Sequence, residues 1–356
     1  MLRESTLLPI ISGKEGRTVR WDGKSAKTTW HPVRLEMTRA YAAAVAALVV
    51  LSGIGSTAAV PTVLFIGNSF TFAAGSAVRF YRADTVTDLN GQGQGGVPAL
   101  FRSFANQAGL DFDVSLETHP GSNFDFHLAN KREVIGKRPW NVVVMHGHST
   151  LDVDAPGNPA KLLTTSAEMA TLLREKNAGV DIYLLSTWSR ADQTYPAEGA
   201  WAGKPIEAMA RDVRAAYDQA ATRIKAKGVL PVGEAWTRAM QTGIADPNPY
   251  DGIEAGKLDL WTYDHYHASI AGSYLEALVV FGGVTGRDPR SLGDAECSAF
   301  ELGLTRAHAK ALQQVAYDQL ASNGATLTGG AGASAPAAAS APGPAPQRCE
   351  PRPRAE

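Results

Sequence analysis

The stretch Val63-Leu64-Phe65-Ile66-Gly67-Asn68-Ser69-Phe70-Thr71 carries an apolar run straight into a Gly-Asn-Ser turn. Residues 62–66 are rich in β-formers and read as a short strand. Further runs follow at 112–116, 141–145, 181–185 and 229–232. The run at 141–145 is nearly unbroken, as expected of a strand covered on both faces. Between these runs the apolar residues take helical spacing. Leu100, Phe101, Phe104, Ala105 and Ala108 share one face of a segment that Gly109 stops. A second helix is expected over 162–177. A third is expected over 204–227, with Pro205 in its first turn and Gly228 as its stop. Segments 268–281 and 300–320 read as closing helices. Strands alternating with helices predict an α/β protein with a mostly parallel, five-stranded sheet and helices on both sides.

In such sheets, ligands bind beyond the carboxyl ends of the strands. Ser69 follows the first strand, His119-Pro120-Gly121 the second, His146-Gly147-His148-Ser149 the third, and Thr187, Trp188 and Arg190 the fourth. Far downstream stands Asp264-His265-Tyr266-His267, a carboxylate three positions before an imidazole. A serine hydroxyl needs a base to remove its proton as it attacks, and imidazole titrates in the useful range. The imidazole in turn needs a partner that fixes its tautomer. Ser69 as nucleophile, His267 as base and Asp264 as orienting carboxylate supply that inventory. His265 is expected to point elsewhere. The developing oxyanion needs donors; the Ser69 amide, an unhindered Gly121 amide and the His148 ring are candidates. Taken singly, Ser69 reads equally well as a helix cap, Asp264 as another cap, His267 as a structural histidine and Gly121 as a turn glycine. Phe70 and Thr71 after Ser69 depart from the Gly-x-Ser-x-Gly elbow of α/β-hydrolases.

These blocks resemble those of the SGNH (GDSL-like) hydrolases, in particular the divergent DUF4886-like branch. The resemblance covers roughly residues 61–290. The family's first block, Gly-Asp-Ser, stands here as Gly67-Asn68-Ser69; its second-block glycine matches Gly121; its last block, Asp-x-x-His, is Asp264-His265-Tyr266-His267. The segments 268–275 and 232–236 also look like that branch. The third block departs: His146-Gly147-His148-Ser149 stands where the family has Gly-x-Asn-Asp, and His148 falls at the oxyanion asparagine. The resemblance implies a flavodoxin-like three-layer α/β/α fold and ester hydrolysis through a serine acyl-enzyme without a cofactor. Short acyl esters of carbohydrates or lipids are the expected substrates. Two other readings use the same residues. His146, His148, Asp264 and His267 would hold a divalent metal that activates water, or the chain would be a non-catalytic glycan-binding relic of the fold.

Composition narrows the classes further. The 356 residues carry 34 Lys and Arg against 35 Asp and Glu, a net charge of −1, which leaves no electrostatic footprint for nucleic acid. Cys297 and Cys349 are the two cysteines, too few for a disulfide framework or a cysteine zinc motif. From Met37, a positive Arg39, an apolar run over 40–51 and small residues up to Ala59 read as a signal peptide cleaved before Val60. Gly53, Gly55 and Ser56 interrupt the run, so a retained membrane anchor is disfavoured. The expected organisation is a polar over-extended start at 1–36, a signal peptide at 37–59, the hydrolase domain at 60–322 and a disordered Ala/Pro/Gly-rich tail at 323–356. The mature protein is then secreted or periplasmic. N-terminal sequencing of the precursor from an export-blocked host is expected to begin at Met37; a precursor beginning at Met1 removes that expectation.

Overall fold

In a computed structural model, which describes residues 59–294 and 296–329, the sheet is parallel throughout. It has six strands in the order β2-β3-β1-β4-β5-β6. They are β1 (Thr62–Gly67), β2 (Thr87–Asp88), β3 (Asp113–Thr118), β4 (Val142–Met145), β5 (Asp181–Ser186) and β6 (Gly228–Pro231). The strand beyond the five expected is β2, an edge strand of two residues. It is too short to leave a periodic signal.

The principal helices are α1 (Gly96–Gln107), α2 (Phe124–Asn130), α3 (Ala160–Lys176), α4 (Glu207–Ile224), α5 (Val232–Gln241), α6 (Ile270–Thr285) and α7 (Arg306–Ser322). Alternation along the strands sorts the core into two layers. Val63, Phe65, Val114, Leu116, Val144 and Leu230 face α1, α5, α6 and α7. Leu64, Ile66, Val143, Met145, Ile182 and Leu184 face α2, α3 and α4. Each such side chain contributes roughly 1.5–3 kcal/mol by leaving water, so register is strongly specified on both faces. The expected α/β/α sandwich is the observed one.

Boundaries differ where capping chemistry overrides pattern. The helix expected over 204–227 ends at Ile224, and its stop is Lys225 in the left-handed region (φ 51°), not Gly228, which opens β6. The last helix is interrupted: a short helix at Cys297–Glu301 precedes α7, with Gly303 between them. Past α7 the chain returns to the body. Thr328 donates its N–H to the Gly286 carbonyl at 2.8 Å and accepts from the Asp288 amide at 2.8 Å, so the folded segment runs beyond the expected boundary at 322. Cys297 is not a free thiol. Cys349, the expected leader (Ala59 excepted), the expected start and the rest of the tail lie outside the described residues. Among the described residues no helix is long and apolar enough to cross a membrane.

Among the described residues, several buried polar atoms lack a hydrogen-bond partner, and the Glu276 carboxyl is the one with the largest consequence. Glu276 on α6 is 1% exposed and its Oε2 has no hydrogen-bond partner. Burial raises its pKa well above the ordinary carboxyl value, so the neutral acid is the folded form. A raised carboxyl pKa contributes stability that is full below the unfolded value of about 4.3 and is lost as pH rises toward the folded one. Glu276→Gln removes this titration. Its stability relative to wild type is therefore expected to rise as pH increases from 5 to 7, measured by urea unfolding; a pH-independent difference would contradict a neutral Glu276.

Candidate active site

β1 delivers Ser69 to the carboxyl edge of the sheet, and the loop between α5 and α6 comes back over it. The part of that loop over 261–268 is a tight turn. The Thr262 N–H donates to the His267 carbonyl at 2.8 Å, the His265 N–H donates to the Thr262 carbonyl at 2.9 Å, and Trp261 bridges to Ala268. His265 sits at φ 57°, in the left-handed region. The turn sends the His265 ring against Tyr250, with centroids 4.4 Å apart, and leaves Asp264 and His267 on the other side. As expected from the spacing, His265 is not part of the constellation.

Asp264 is satisfied on both oxygens. Its Oδ1 accepts from the Thr262 hydroxyl at 2.7 Å and from the Tyr266 and His267 amides at 2.9 Å each. Its Oδ2 lies 2.6 Å from His267 Nδ1. Partial burial works against the charge, but the His267 ring, the two amides and the Thr262 hydroxyl outweigh it and hold the carboxyl down at about 2. An ionised Asp264 accepts the Nδ1 proton, so the Nε2 lone pair of a neutral ring is free for another donor. That donor is Ser69: its Oγ lies 2.9 Å from His267 Nε2, across 198 residues of chain. The three sequence-predicted residues therefore meet. Ser69 is 5% exposed, and its hydroxyl serves His267 rather than a helix cap. The cap of α6 is Ser269, not Asp264.

The expected oxyanion donors lie on neighbouring loops. Nothing among the described residues accepts a hydrogen bond from the Ser69 or Gly121 amide. Gly121 has φ 65°, a conformation that favours glycine. Gly121 and His148 line one cavity of ≈ 240 Å³ with His119, Phe126, Val153 and Lys161. His148 Nδ1 lies 2.9 Å from the Thr150 hydroxyl, which gives its own proton to the Asp152 carbonyl at 2.9 Å, so Nδ1 carries the hydrogen of the neutral ring and Nε2 has none. Burial, with Arg190 nearby, lowers the His148 pKa and keeps the ring neutral.

His146 does not take the metal-ligand role open to it. Its Nδ1 donates to the Gly147 carbonyl at 3.0 Å and its Nε2 accepts from the Thr71 hydroxyl at 2.7 Å. Burial pushes its pKa down to about 4. Both ring nitrogens are occupied, so His146 is a brace beneath the turn and not a metal ligand. Among the described residues no three His, Cys, Asp or Glu side chains are grouped to hold a metal. Gly67 is glycine because a Cβ there would sit 2.6 Å from His146 Nε2. Trp188 and Arg190, cleft candidates by position, are also braces. Trp188 is fully buried, stacked between Phe70 (4.1 Å) and Trp236 (4.4 Å), and donates to the Tyr266 carbonyl at 3.2 Å. Arg190 lies over the Tyr266 ring at 3.5 Å and pairs with Asp192.

Asn68 was invisible as a functional residue. Its Nδ2 donates to the Ser122 carbonyl at 3.0 Å and the Gly147 carbonyl at 3.1 Å, while its Oδ1 accepts from the Phe70 amide at 3.1 Å. Its departure from the aspartate of the resembled first block is thereby explained, since a carboxylate would turn an oxygen toward two carbonyl oxygens.

No family model and no curated protein matches the chain. Solved structures do. A DUF4886 family protein from Bacteroides uniformis ATCC 8492 aligns with TM-score 0.54 at 18% identity, over 76% of this chain and 98% of that one. A Slackia heliotrinireducens protein assigned as an SGNH hydrolase aligns with TM-score 0.43 at 19% identity, over 63% and 99%. A lipase/acylhydrolase from Enterococcus faecalis gives 0.41 at 15% identity, over 64% and 96%. The first likeness shows that the chain shares the fold of that DUF4886 family protein. For Asn68, the geometry predicts that Asn68→Asp loses roughly 3 kcal/mol of stability at pH 7, as two buried carbonyls lose their donor and a charge is buried. Denaturant unfolding measures this; a neutral substitution would show that the bridge contributes little.

Proposed function

We propose that this protein is an exported serine ester hydrolase that works through an acyl-enzyme. The observation that carries the reading is the continuous relay from Asp264 through His267 to Ser69, with contacts of 2.6 and 2.9 Å. Ser69 Oγ attacks the ester carbonyl carbon while His267 Nε2 takes its proton. Asp264, ionised through the neutral range, stabilises the imidazolium that forms. The carbonyl oxygen becomes an anion held by the Ser69 and Gly121 amides. Collapse breaks the bond to the alcohol oxygen, which leaves with the proton from His267. Water, deprotonated by His267, then attacks the acyl carbon and frees the carboxylic acid and Ser69. No step calls on a metal or cofactor.

The cavity beside the Gly121 loop is lined by none of Ser69, Asp264 and His267, so its size bears on a substrate portion held next to Gly121 and His148. Its ≈ 240 Å³ falls below the roughly 300–1,000 Å³ of pockets that enclose drug-sized ligands. A short acyl group fits that scale better than a long chain. Phe126 and Lys161 on its walls suit an acylated sugar or a lipid headgroup.

Ser69→Ala and His267→Ala are each expected to lower kcat on p-nitrophenyl acetate by on the order of a thousandfold or more, with the double variant falling little further. Additive losses would contradict a shared mechanism. A fluorophosphonate probe is expected to label Ser69, with activity indifferent to chelators. Loss on chelation with rescue by metal would establish the metal-dependent reading instead. A relic would take no label and turn over no ester.

A further inference from the structure

Beneath the loop that carries Gly121 lies a second chain of serine, histidine and carboxylate. The Glu117 and His127 side chains are 0% and 1% exposed, and Ser122 is 6% exposed. Glu117 Oε2 makes a short contact with His127 Nδ1. His127 Nε2 lies 2.9 Å from Ser122 Oγ, which donates to the His119 carbonyl at 2.8 Å. The other Glu117 oxygen accepts from Asn90 Nδ2 at 3.2 Å, and Asn90 Oδ1 accepts from Lys131 Nζ at 2.6 Å.

Such a chain is not needed to fill a core, because apolar residues of similar volume commonly serve as well as a buried ion pair. Its geometry suggests what it holds. Glu117 is on β3 and His127 on α2, the two stems of the five-residue loop 119–123. The pair bolts the stems together, and Ser122 extends the bolt into the loop. Proton counting gives it a direction. The single Ser122 proton points to the His119 carbonyl, so the hydroxyl turns a lone pair to His127, whose Nε2 must carry hydrogen. One further proton is shared between Glu117 and Nδ1. On the other side of the loop, the Ser122 carbonyl is held by Asn68, the neighbour of Ser69. Gly121, adjacent to Ser122, is thus framed from below by the buried chain and from the side by the nucleophile turn.

We propose that Glu117, His127 and Ser122 form a positioning relay that sets the Gly121 amide toward the carbonyl oxygen of an ester attacked by Ser69. The proposal rests on the ester-hydrolase reading of Ser69. Glu117 and His127 are buried behind the loop, and Ser122, which shares the cavity wall with Gly121, has its proton committed to the His119 carbonyl and is not a second nucleophile.

The test is steady-state kinetics of the full chain on p-nitrophenyl acetate, with thermal unfolding alongside. Ser122→Ala removes the last link and leaves the buried pair intact. It is expected to lower kcat about 10- to 100-fold, less than or comparable to deleting an oxyanion donor. KM should stay within about twofold, the acid limb of the pH profile should not move, and Ser122→Thr should recover most of kcat. An unchanged kcat, a loss expressed in KM, or Ser122→Thr no better than Ser122→Ala would overturn the relay. If Ser122→Ala does not fold, Glu117→Gln, which keeps the shape and an acceptor, is read in the same way. A wild-type protein that takes no fluorophosphonate label and turns over no ester overturns the underlying reading, and the relay's role with it. An active wild type with an unaffected variant overturns the relay alone.

Discussion

One side-chain amide joins three loops at the carboxyl edge of the sheet. Asn68, 3% exposed, donates to a carbonyl after β3 and a carbonyl after β4 while accepting from the turn after β1. β1 lies between β3 and β4 in the sheet, so the three loops are neighbours by topology. Parallel strands bring their ends to one rim, but nothing in the ladder fixes how the following loops sit against each other. Asn68 supplies that constraint with good hydrogen-bond geometry in a site that water scarcely reaches, where each unmade bond is costly. Next to it in sequence, Ser69 inherits a fixed position.

The other half of the constellation arrives from much farther along the chain and needs its own support. The Asp264–His267 turn is closed by its own amides, then anchored by aromatic packing. Phe70, immediately after Ser69, stacks on Trp188, and Trp188 stacks on Trp236 from α5. Trp188 donates to the Tyr266 carbonyl, and Phe70 meets the His267 ring edge-on at 5.7 Å. The serine turn and the histidine turn thus share one rigid column of rings. Dispersion over such large faces, with little rotamer freedom to lose, holds a 2.9 Å contact without a covalent tie between the segments.

Much of this was legible from residue order. The inner strands are buried on both faces, so they appear as continuous apolar runs, and β1, β4 and β5 lie where those runs lie. The Asp-x-x-His spacing is local, and a single turn suffices to orient both side chains. Where the reading stopped short, the cause was short length or long range. β2, with two residues, has no period. The end of α4 depends on Lys225 adopting a left-handed cap that pattern does not announce. His146 has the residue type of a ligand and became a brace because Thr71, 75 residues away, takes one of its nitrogens. Trp188 and Arg190 occupy the rim by strand order, yet packing turned both inward.

By itself the sequence determined the order of strands and helices, the two apolar faces of the sheet, and which residue types arrive at its carboxyl edge, because periodicity and strand polarity are written locally. Only the tertiary structure decided which of those residues meet. That choice depends on hydrogen bonds and ring contacts between segments 54 to 198 residues apart, and on burial, which leaves one histidine facing Ser69 and seals another beneath the turn. Residue order lists the candidates; desolvation and distance select among them, and both exist only once the chain has closed on itself.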